Sequence, residues 1–457
     1  MSQSQSHGTA IQRRSPIGRV ALGSFIGTSI EWYDFFLYGT AAALVFSELF
    51  FPNVSPAVGL IAAFGTYAVG FLARPLGGII GGHLGDRIGR KAVLVASLTI
   101  MGAATAAIGL LPSYDQIGLW APALLLVLRL TQGLGVGGEW GGAALMTVEH
   151  APAARRGLFG SFTQIGVSAG MLLSVGAFAV VRNSVDHATF LAWGWRVPFL
   201  ASTILVAIGL WIRLKLEETP QFARLADEGG TSARPVVTAL RDERKAVLLT
   251  TGMRLSQNAV YYIYTVFGLA YVARSLGKDT NIGLISIVLA SALGLVSVPL
   301  WAALSDRIGR RPVYLLGSVA SAIFIFPFFL LADSGNPVLI VLAIVIGLNG
   351  FHDAMYGPQA AFFSEMFTTG VRYSGASLGY QIGSVLAGGF SPLIATALLA
   401  VGGGRPWLVC GYFLLLSSIT TVCAYLAPET VRGEIGDAAP GRSRLARVLV
   451  AEALATT

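Results

Sequence analysis

Apolar runs of about 20 residues or more, the length that carries a helix across a hydrocarbon layer of roughly 30 Å, recur along the chain between short polar stretches. Their limits predict helical spans at 20–45, 58–82, 92–111, 121–148, 158–181, 195–214, 246–273, 281–303, 313–331, 338–363, 374–400 and 405–427. The expected fold class is an all-α polytopic membrane protein with twelve transmembrane helices. The first run follows the polar leader SQSQSHGTAIQRRSPIGR, contains two acids and lacks a small-residue cleavage site, so it reads as a retained span and not a signal peptide.

Composition agrees: 54% of residues are hydrophobic and 12% charged, against roughly 25% charged in soluble domains. Twenty-three Lys and Arg residues fall on alternate connections and in the two terminal segments, and only Arg182, Arg196, Arg274, Lys278 and Arg405 fall on the others. The positive-inside rule therefore expects both termini in the cytoplasm of a cell-membrane protein. The net charge of +8 is scattered over short loops, which makes it a topology signal and argues against a nucleic-acid partner. Cys410 and Cys423 both lie in the last span and offer neither a disulfide framework nor metal spacing. No phosphate loop, nucleophile elbow or metal quartet appears, so an enzyme and a cofactor are not expected. The chain is expected to work as a monomer.

The chain also repeats itself. Asp-Arg-Ile-Gly-Arg occurs at 86–90 and 306–310, Gln-Ile-Gly at 164–166 and 381–383, and Glu149 and Arg156 recur as Glu365 and Arg372. These matches share an order and nearly one offset, which indicates duplication. The expected organisation is a segment at 1–19, a six-helix bundle at 20–214, a cytoplasmic connector at 215–245, a second bundle at 246–427 and a tail at 428–457. Parallel six-helix halves with a substrate site between them near the bilayer midplane are common among secondary transporters.

GGHLGDRIGRKAVL at 81–94 and RLTQGLGVGGEWGGAALMTVE at 129–149 resemble signature motifs of the major facilitator superfamily. With EWYDFFLYG at 31–39, FLARPLGG at 71–78 and WGWRVPF at 193–199, the resemblance narrows to the metabolite:proton symporter family, whose members carry proline and betaine, α-ketoglutarate, citrate or shikimate. GMRLSQNAVYYIYTVFGLAY at 252–271 and FHDAMYGPQAAFFSEMF at 351–367 resemble shikimate transporters most. The resemblance implies a loop latch in which Asp86, paired with Arg90 across one turn, braces the eleventh helix beside Arg372 and Tyr373. Asp306 and Arg310 would do the same for the fifth helix near Arg156 and Gly157, with Glu149 and Glu365 as further charge partners. The alternative is that the loop cations are only topology anchors.

Ionisable residues inside spans cost roughly 2.5–3.5 kcal/mol on insertion scales and mark functional candidates. Glu31 and Asp34 share a helical face, about 16 and 21 Å from the start of the first span, and Arg74 lies at a similar depth in the second. Two readings stay open: the acids carry the coupled proton, or they form a structural pair with Arg74. Glu139 and Asp353 are the further proton-coupling candidates. Arg129, which the superfamily links to proton transfer or to structure, and Arg254 are candidates to bind a substrate carboxylate. Tyr33, Gln164, Gln381, His352 and the polar stripe of the seventh span, Asn258 and Tyr262 with Arg254, Gln257, Tyr261 and Tyr264, complete the candidate cavity wall.

The expectation is a proton-driven importer of a small organic acid working by alternating access. The alternatives are uptake of a proline- or betaine-type zwitterion and, from another class, a non-transporting nutrient sensor.

Overall fold

The structure, a computed structural model, describes residues 17–54, 56–215 and 235–431. Most of the expected N-terminal segment (residues 1–16), most of the connector and most of the tail lie outside the described residues. Twelve long helices follow one another: α1 (Ile17–Ala41), α2 (Pro56–Ile88), α3 (Arg90–Leu110), α4 (Trp120–His150), α5 (Arg156–Ser184) and α6 (Arg196–Leu214) form the first half. A short helix, Pro235–Asp242, leads into α7 (Arg244–Tyr262). Then come α8 (Thr280–Ile308), α9 (Arg310–Asp333), α10 (Pro337–Glu365), α11 (Arg372–Ser384) and α12 (Trp407–Leu426). Nine of the helical stretches among the described residues are long and apolar enough to cross a bilayer. Side chains such as Leu300, Val296, Ile323 and Leu330 lie exposed on the outside of the bundle, as lipid contact requires.

Two helices run further than their hydropathy predicts. Hydropathy ends α2 at 82 and α8 at 303, yet both continue through the charged motif to Ile88 and Ile308. Charges at a membrane surface do not interrupt backbone hydrogen bonding; a residue of positive φ does. Gly89 (φ 105°) and Gly309 (φ 111°) occupy that position in the two copies of Asp-Arg-Ile-Gly-Arg, which explains the glycine in the repeat.

Several helices also loosen to π geometry partway along: after α1 (Ala42–Phe46), after α7 (Ile263–Phe267), within α10 (Ile346–His352) and after α11 (Val385–Gly389). Such turns release a backbone group and re-aim neighbouring side chains. The one in α10 contains Asn349 and His352, and Asp353 follows it directly.

Within the first half, α2 and α4 meet backbone to backbone. A Cβ on Gly77 would lie 2.1 Å from the carbonyl oxygen of Leu134, and one on Gly137 2.1 Å from that of Arg74. Between the halves, α5 packs on α8 and α10, while α11 packs on α2 and α4.

Candidate functional site

In the first half, the Asp34 carboxylate is buried and accepts a hydrogen bond from Thr105 of α3 at 2.7 Å. Its other oxygen, Oδ1, has no hydrogen-bond partner among the described residues. Thr105 in turn accepts from Gln132 Nε2 at 2.7 Å, and Gln132 Oε1 accepts from Arg129 Nη1 at 3.0 Å. Arg129 thus reaches Asp34 through two neutral side chains. Its guanidinium lies over the rings of Tyr38 (4.3 Å), Phe35 (4.9 Å) and Tyr67 (4.9 Å), and its Nε and Nη2 have no hydrogen-bond partner among the described residues. Gly70 leaves room for it, since a Cβ there would stand 2.5 Å from Arg129 Nε.

This arrangement bears on one of the two open readings, a structural pair of Asp34 with Arg74. Equal depth on neighbouring helices allowed that pair, but Asp34 turns to α3, and the Arg74 guanidinium lies 4.5 Å from the Phe35 and Phe71 rings. Aromatic faces stabilise a buried cation without neutralising it. Glu31, one turn before Asp34, lies with Arg74 within electrostatic range of Tyr380 of α11. Tyr33 is likewise removed from the cavity wall, because its hydroxyl donates to the Pro198 carbonyl of α6 at 2.8 Å inside the first half.

Tyr262 of α7 lies within electrostatic range of Arg74, Arg254 and Arg129. Its ring meets Phe71 edge-on at 5.8 Å, and its buried hydroxyl has no hydrogen-bond partner among the described residues. A buried, unused donor within reach of the field of several guanidinium groups is a polar group open to a partner. Asn258, one turn earlier, is occupied by the Ser384 carbonyl at 3.3 Å.

The second half holds a longer polar chain. Arg254 Nη1 donates to Gln257 Oε1 and to Gln359 Oε1 (2.7 Å), its Nε donates to Ser384 Oγ (3.3 Å), and its guanidinium lies 3.7 Å from the centre of the Tyr380 ring. Gln257 Nε2 meets His352 Nε2 at 2.6 Å, and His352 Nδ1 meets Asp353 Oδ1 at 2.8 Å. Asp353 Oδ2 accepts from Ser297 of α8 and from Asn349 at 3.0 Å. A small cavity of about 20 Å³, enough for a water and far too small for a metabolite, lies between α5, α7, α8 and α10, lined by Ser168, Tyr261, Asn349, His352 and Asp353 among others.

The two repeat-related glutamines bridge the halves reciprocally. Gln164 of α5 donates to the Tyr356 carbonyl of α10, and Gln381 of α11 donates to the Gly137 carbonyl of α4, both at 3.0 Å. Gln164 also accepts from Trp140 Nε1 at 2.9 Å, and Trp140 stacks on Tyr380 at 3.7 Å. These groups are structural ties in this state, occupied by backbone and ring partners.

The face that carries the repeated motif is shut. Asp306 accepts from the backbone N–H groups of Gly157 and Leu158, both at 2.9 Å, at the N-terminus of α5, where the helix dipole favours an anion. Asp306 also pairs with Arg310 at 2.7 Å, and Arg310 with Glu365 at 3.3 Å. Arg156 lies within electrostatic range of Glu365 and Asp306 in this set, and on the other side of the pseudo-twofold axis Arg372 pairs with Glu149 at 3.0 Å. Tyr373 fills the space left by Gly85, Gly141 and Gly142. The side chains of Asp86, Arg90 and Glu139 lie outside the described residues.

The sequence pattern did not single out Thr105, Gln132, Ser297, Asn349 or Gln359. Their signal was present, since each is a polar residue within an apolar span, but Ser, Thr and Gln in such spans usually satisfy their own helix. Arg213, counted among the loop cations, is in fact buried: it donates to the Leu94 carbonyl at 2.7 Å and occupies the space beside Gly27.

Residues 20–247 match the Sugar (and other) transporter family and residues 249–454 the Major Facilitator Superfamily. The chain is 43% identical to the shikimate transporter of Escherichia coli (strain K12), over 91% of this chain and 95% of that protein. It is 39% identical to an inner membrane metabolite transport protein of the same organism, over 92% and 96%. It is 35% identical to the Escherichia coli (strain K12) proline/betaine transporter, over 92% and 85%. Its fold is that of a proton:xylose symporter solved with 6-bromo-6-deoxy-D-glucose, at a TM-score of 0.74 and 18% identity, over 91% of this chain and 96% of that one. The chain is a multi-pass membrane transporter of the major facilitator superfamily and belongs to its metabolite:proton symporter family.

Proposed function

We propose that this transporter imports a small hydroxylated organic acid, shikimate or a close chemical relative, driven by inward proton flow, with the basic-loop face and both termini in the cytoplasm. The observation that carries the reading is the buried Tyr262 hydroxyl, without a hydrogen-bond partner among the described residues and within electrostatic range of Arg74, Arg129 and Arg254. Guanidinium groups offer paired donors to a carboxylate, and a free phenol suits a substrate hydroxyl. Identity to the shikimate transporter supports the same substrate class.

Asp34 is the proton carrier in this reading. One of its oxygens is held by Thr105, and the other is unsatisfied and available to a proton. Protonation neutralises a buried acid and loosens its electrostatic hold on Arg129, which acts on Asp34 through space. The latch residues Asp306, Arg310, Glu149, Arg372, Arg156 and Glu365 hold the cytoplasmic face shut until the substrate is bound.

The test is uptake of labelled shikimate, α-ketoglutarate, proline and betaine into cells, with and without a protonophore. Protonophore-sensitive accumulation of shikimate supports the reading. Uptake of betaine and proline alone would replace the acid by a zwitterion. Uptake insensitive to the protonophore would remove the proton.

A further inference from the structure

Two residues fix the direction of every hydrogen bond in the chain from Arg254 to Asp353. Arginine has only donors, so the atom of Gln257 that faces Arg254 must be its oxygen. The amide nitrogen of Gln257 must then face His352, and it can only donate. His352 Nε2 must therefore accept, which requires a neutral ring with its proton on Nδ1. That proton points at the Asp353 carboxylate, which accepts it at 2.8 Å. Donor-only and acceptor-only ends agree on one polarity, so the chain is self-consistent only while His352 is neutral.

A proton added to His352 Nε2 breaks this order. The imidazolium still donates from Nδ1 to Asp353, but its Nε2–H now meets the Gln257 NH2 group, donor against donor. Rotating the Gln257 amide by half a turn restores that bond, with Oε1 accepting from the histidine. It also turns the NH2 group onto Arg254, so the Arg254–Gln257 hydrogen bond is lost. Gln359 and Ser384 still hold the guanidinium through separate N–H groups. One N–H of Nη1 is left without an acceptor, in a buried site where an unsatisfied donor is costly.

We propose that protonation of His352 reverses the Gln257 amide and so frees one Arg254 N–H for the carboxylate of the substrate, giving the second half its own coupling device between proton and substrate. The proposal rests on the reading that Arg254 meets an anionic substrate. The proton enters from the small cavity that His352 lines between the two halves. On the histidine's own helix the titratable neighbours are Asp353 and Tyr356, whose ring centroid lies 5.2 Å away. From α7 they are Tyr261, at 5.3 Å, and Arg254 through Gln257. The facing parts of α5 and α8 contribute Ser168, Ser291, Gly294 and Val298, and Ser297 bonds Asp353. The π turn packs against α9 through Phe351 and Phe324, and α9 carries its charges at its ends, Arg310, Arg311 and Asp333. Coupling is reciprocal: substrate bound at Arg254 must raise the proton affinity of His352 by the factor by which the proton tightens substrate.

Two measurements on the full-length protein in nanodiscs test this. The first needs no substrate. Nitrogen NMR of protein labelled at its five histidines, with His352→Asn for assignment, should show His352 with Nδ1 protonated and Nε2 bare near about pH 8, above the ordinary histidine range. This is the reverse of the tautomer that free histidine favours. The second is binding of labelled shikimate in an Asp34→Asn background, which removes the first-half acid from the pH profile. Affinity should rise about tenfold, within the usual range of coupling between sites, as pH falls from about 8 to about 5.5. In Gln257→Met, which has no amide to reverse, it should change less than about twofold. An Nε2–H tautomer in the wild type overturns the proposal, as does a pH dependence that survives in Gln257→Met. If the wild type binds no shikimate at either pH, the substrate reading fails instead, and the tautomer alone then decides whether the relay is set.

Discussion

Glu149 and Arg372 stand 223 positions apart in the chain, on opposite halves, and meet at 3.0 Å with both side chains buried. Their repeat counterparts Glu365 and Arg156 are brought together on the other side of the axis, beside Asp306 and the N-terminus of α5. The closed face is thus held by two related sets of charges, each joining one half to the other.

Removing the Asp306 carboxylate should open that face. Asp306→Ala deletes the acceptor for two backbone N–H groups of α5, and hydrogen bonds to a charged group contribute about 1.5–3 kcal/mol each. Loss of one such contact is enough to shift the open population by roughly tenfold or more. Spin-label distances between the ends of α5 and α8 should lengthen, with membrane abundance near normal. An unchanged distance distribution would remove Asp306 from the latch.

Two glycines on one helix should respond differently to alanine. A Cβ on Gly77 meets the backbone of α4 at 2.1 Å, within one half, where neither side can retreat. Gly77→Ala should therefore cost more than about 3 kcal/mol, the mark of overpacking against backbone, and lower abundance. A Cβ on Gly85 meets the Tyr373 ring at 2.0 Å, across the halves. The carrier can escape that clash by opening, so Gly85→Ala should keep its abundance and gain cysteine reactivity on the basic face. Gly65, with nothing within 4 Å, is the control. Equal loss of protein from Gly77→Ala and Gly85→Ala would contradict the distinction.

The proton assignment turns on Asp34. Asp34→Asn keeps the shape and can still accept from Thr105, so the protein should be made normally, fail to accumulate substrate and retain exchange. A structural pair with Arg74 would instead make double neutralisation restore the protein; the separation of the two side chains predicts no such rescue. Normal protonophore-sensitive accumulation by Asp34→Asn would move the proton elsewhere, with Glu139 and Asp353 next.

Tyr262→Phe separates binding from folding. The hydroxyl it removes has no hydrogen-bond partner among the described residues, so its loss should leave thermal stability in detergent unchanged or slightly higher. If the hydroxyl meets a substrate hydroxyl, affinity for shikimate should fall by up to about tenfold, the cost of about one neutral hydrogen bond. A drop in stability with unchanged affinity would make Tyr262 a packing residue.

The sequence by itself determined the twelve helices, their grouping by an internal repeat and the family, because each is written in short-range information: apolar runs of bilayer length, loop charges and motifs of contiguous residues. It also located the polar residues at mid-span that deserve notice, since any polar group there is costly. What it could not decide was which of them meet. Glu31 and Asp34 share a helical face, yet Asp34 bonds α3 while Glu31 lies within electrostatic range of Tyr380 of α11. That choice depends on side-chain rotamers and on which helix offers a hydrogen bond, and neither has a signature in spacing. Nor does spacing show that the Arg74 guanidinium lies over the Phe35 and Phe71 rings. The chain from Arg254 through Gln257 and His352 to Asp353 joins α7 to α10 across about a hundred residues. Only the packing of those two helices, with α10 loosened to π geometry at His352, brings its members within hydrogen-bond distance.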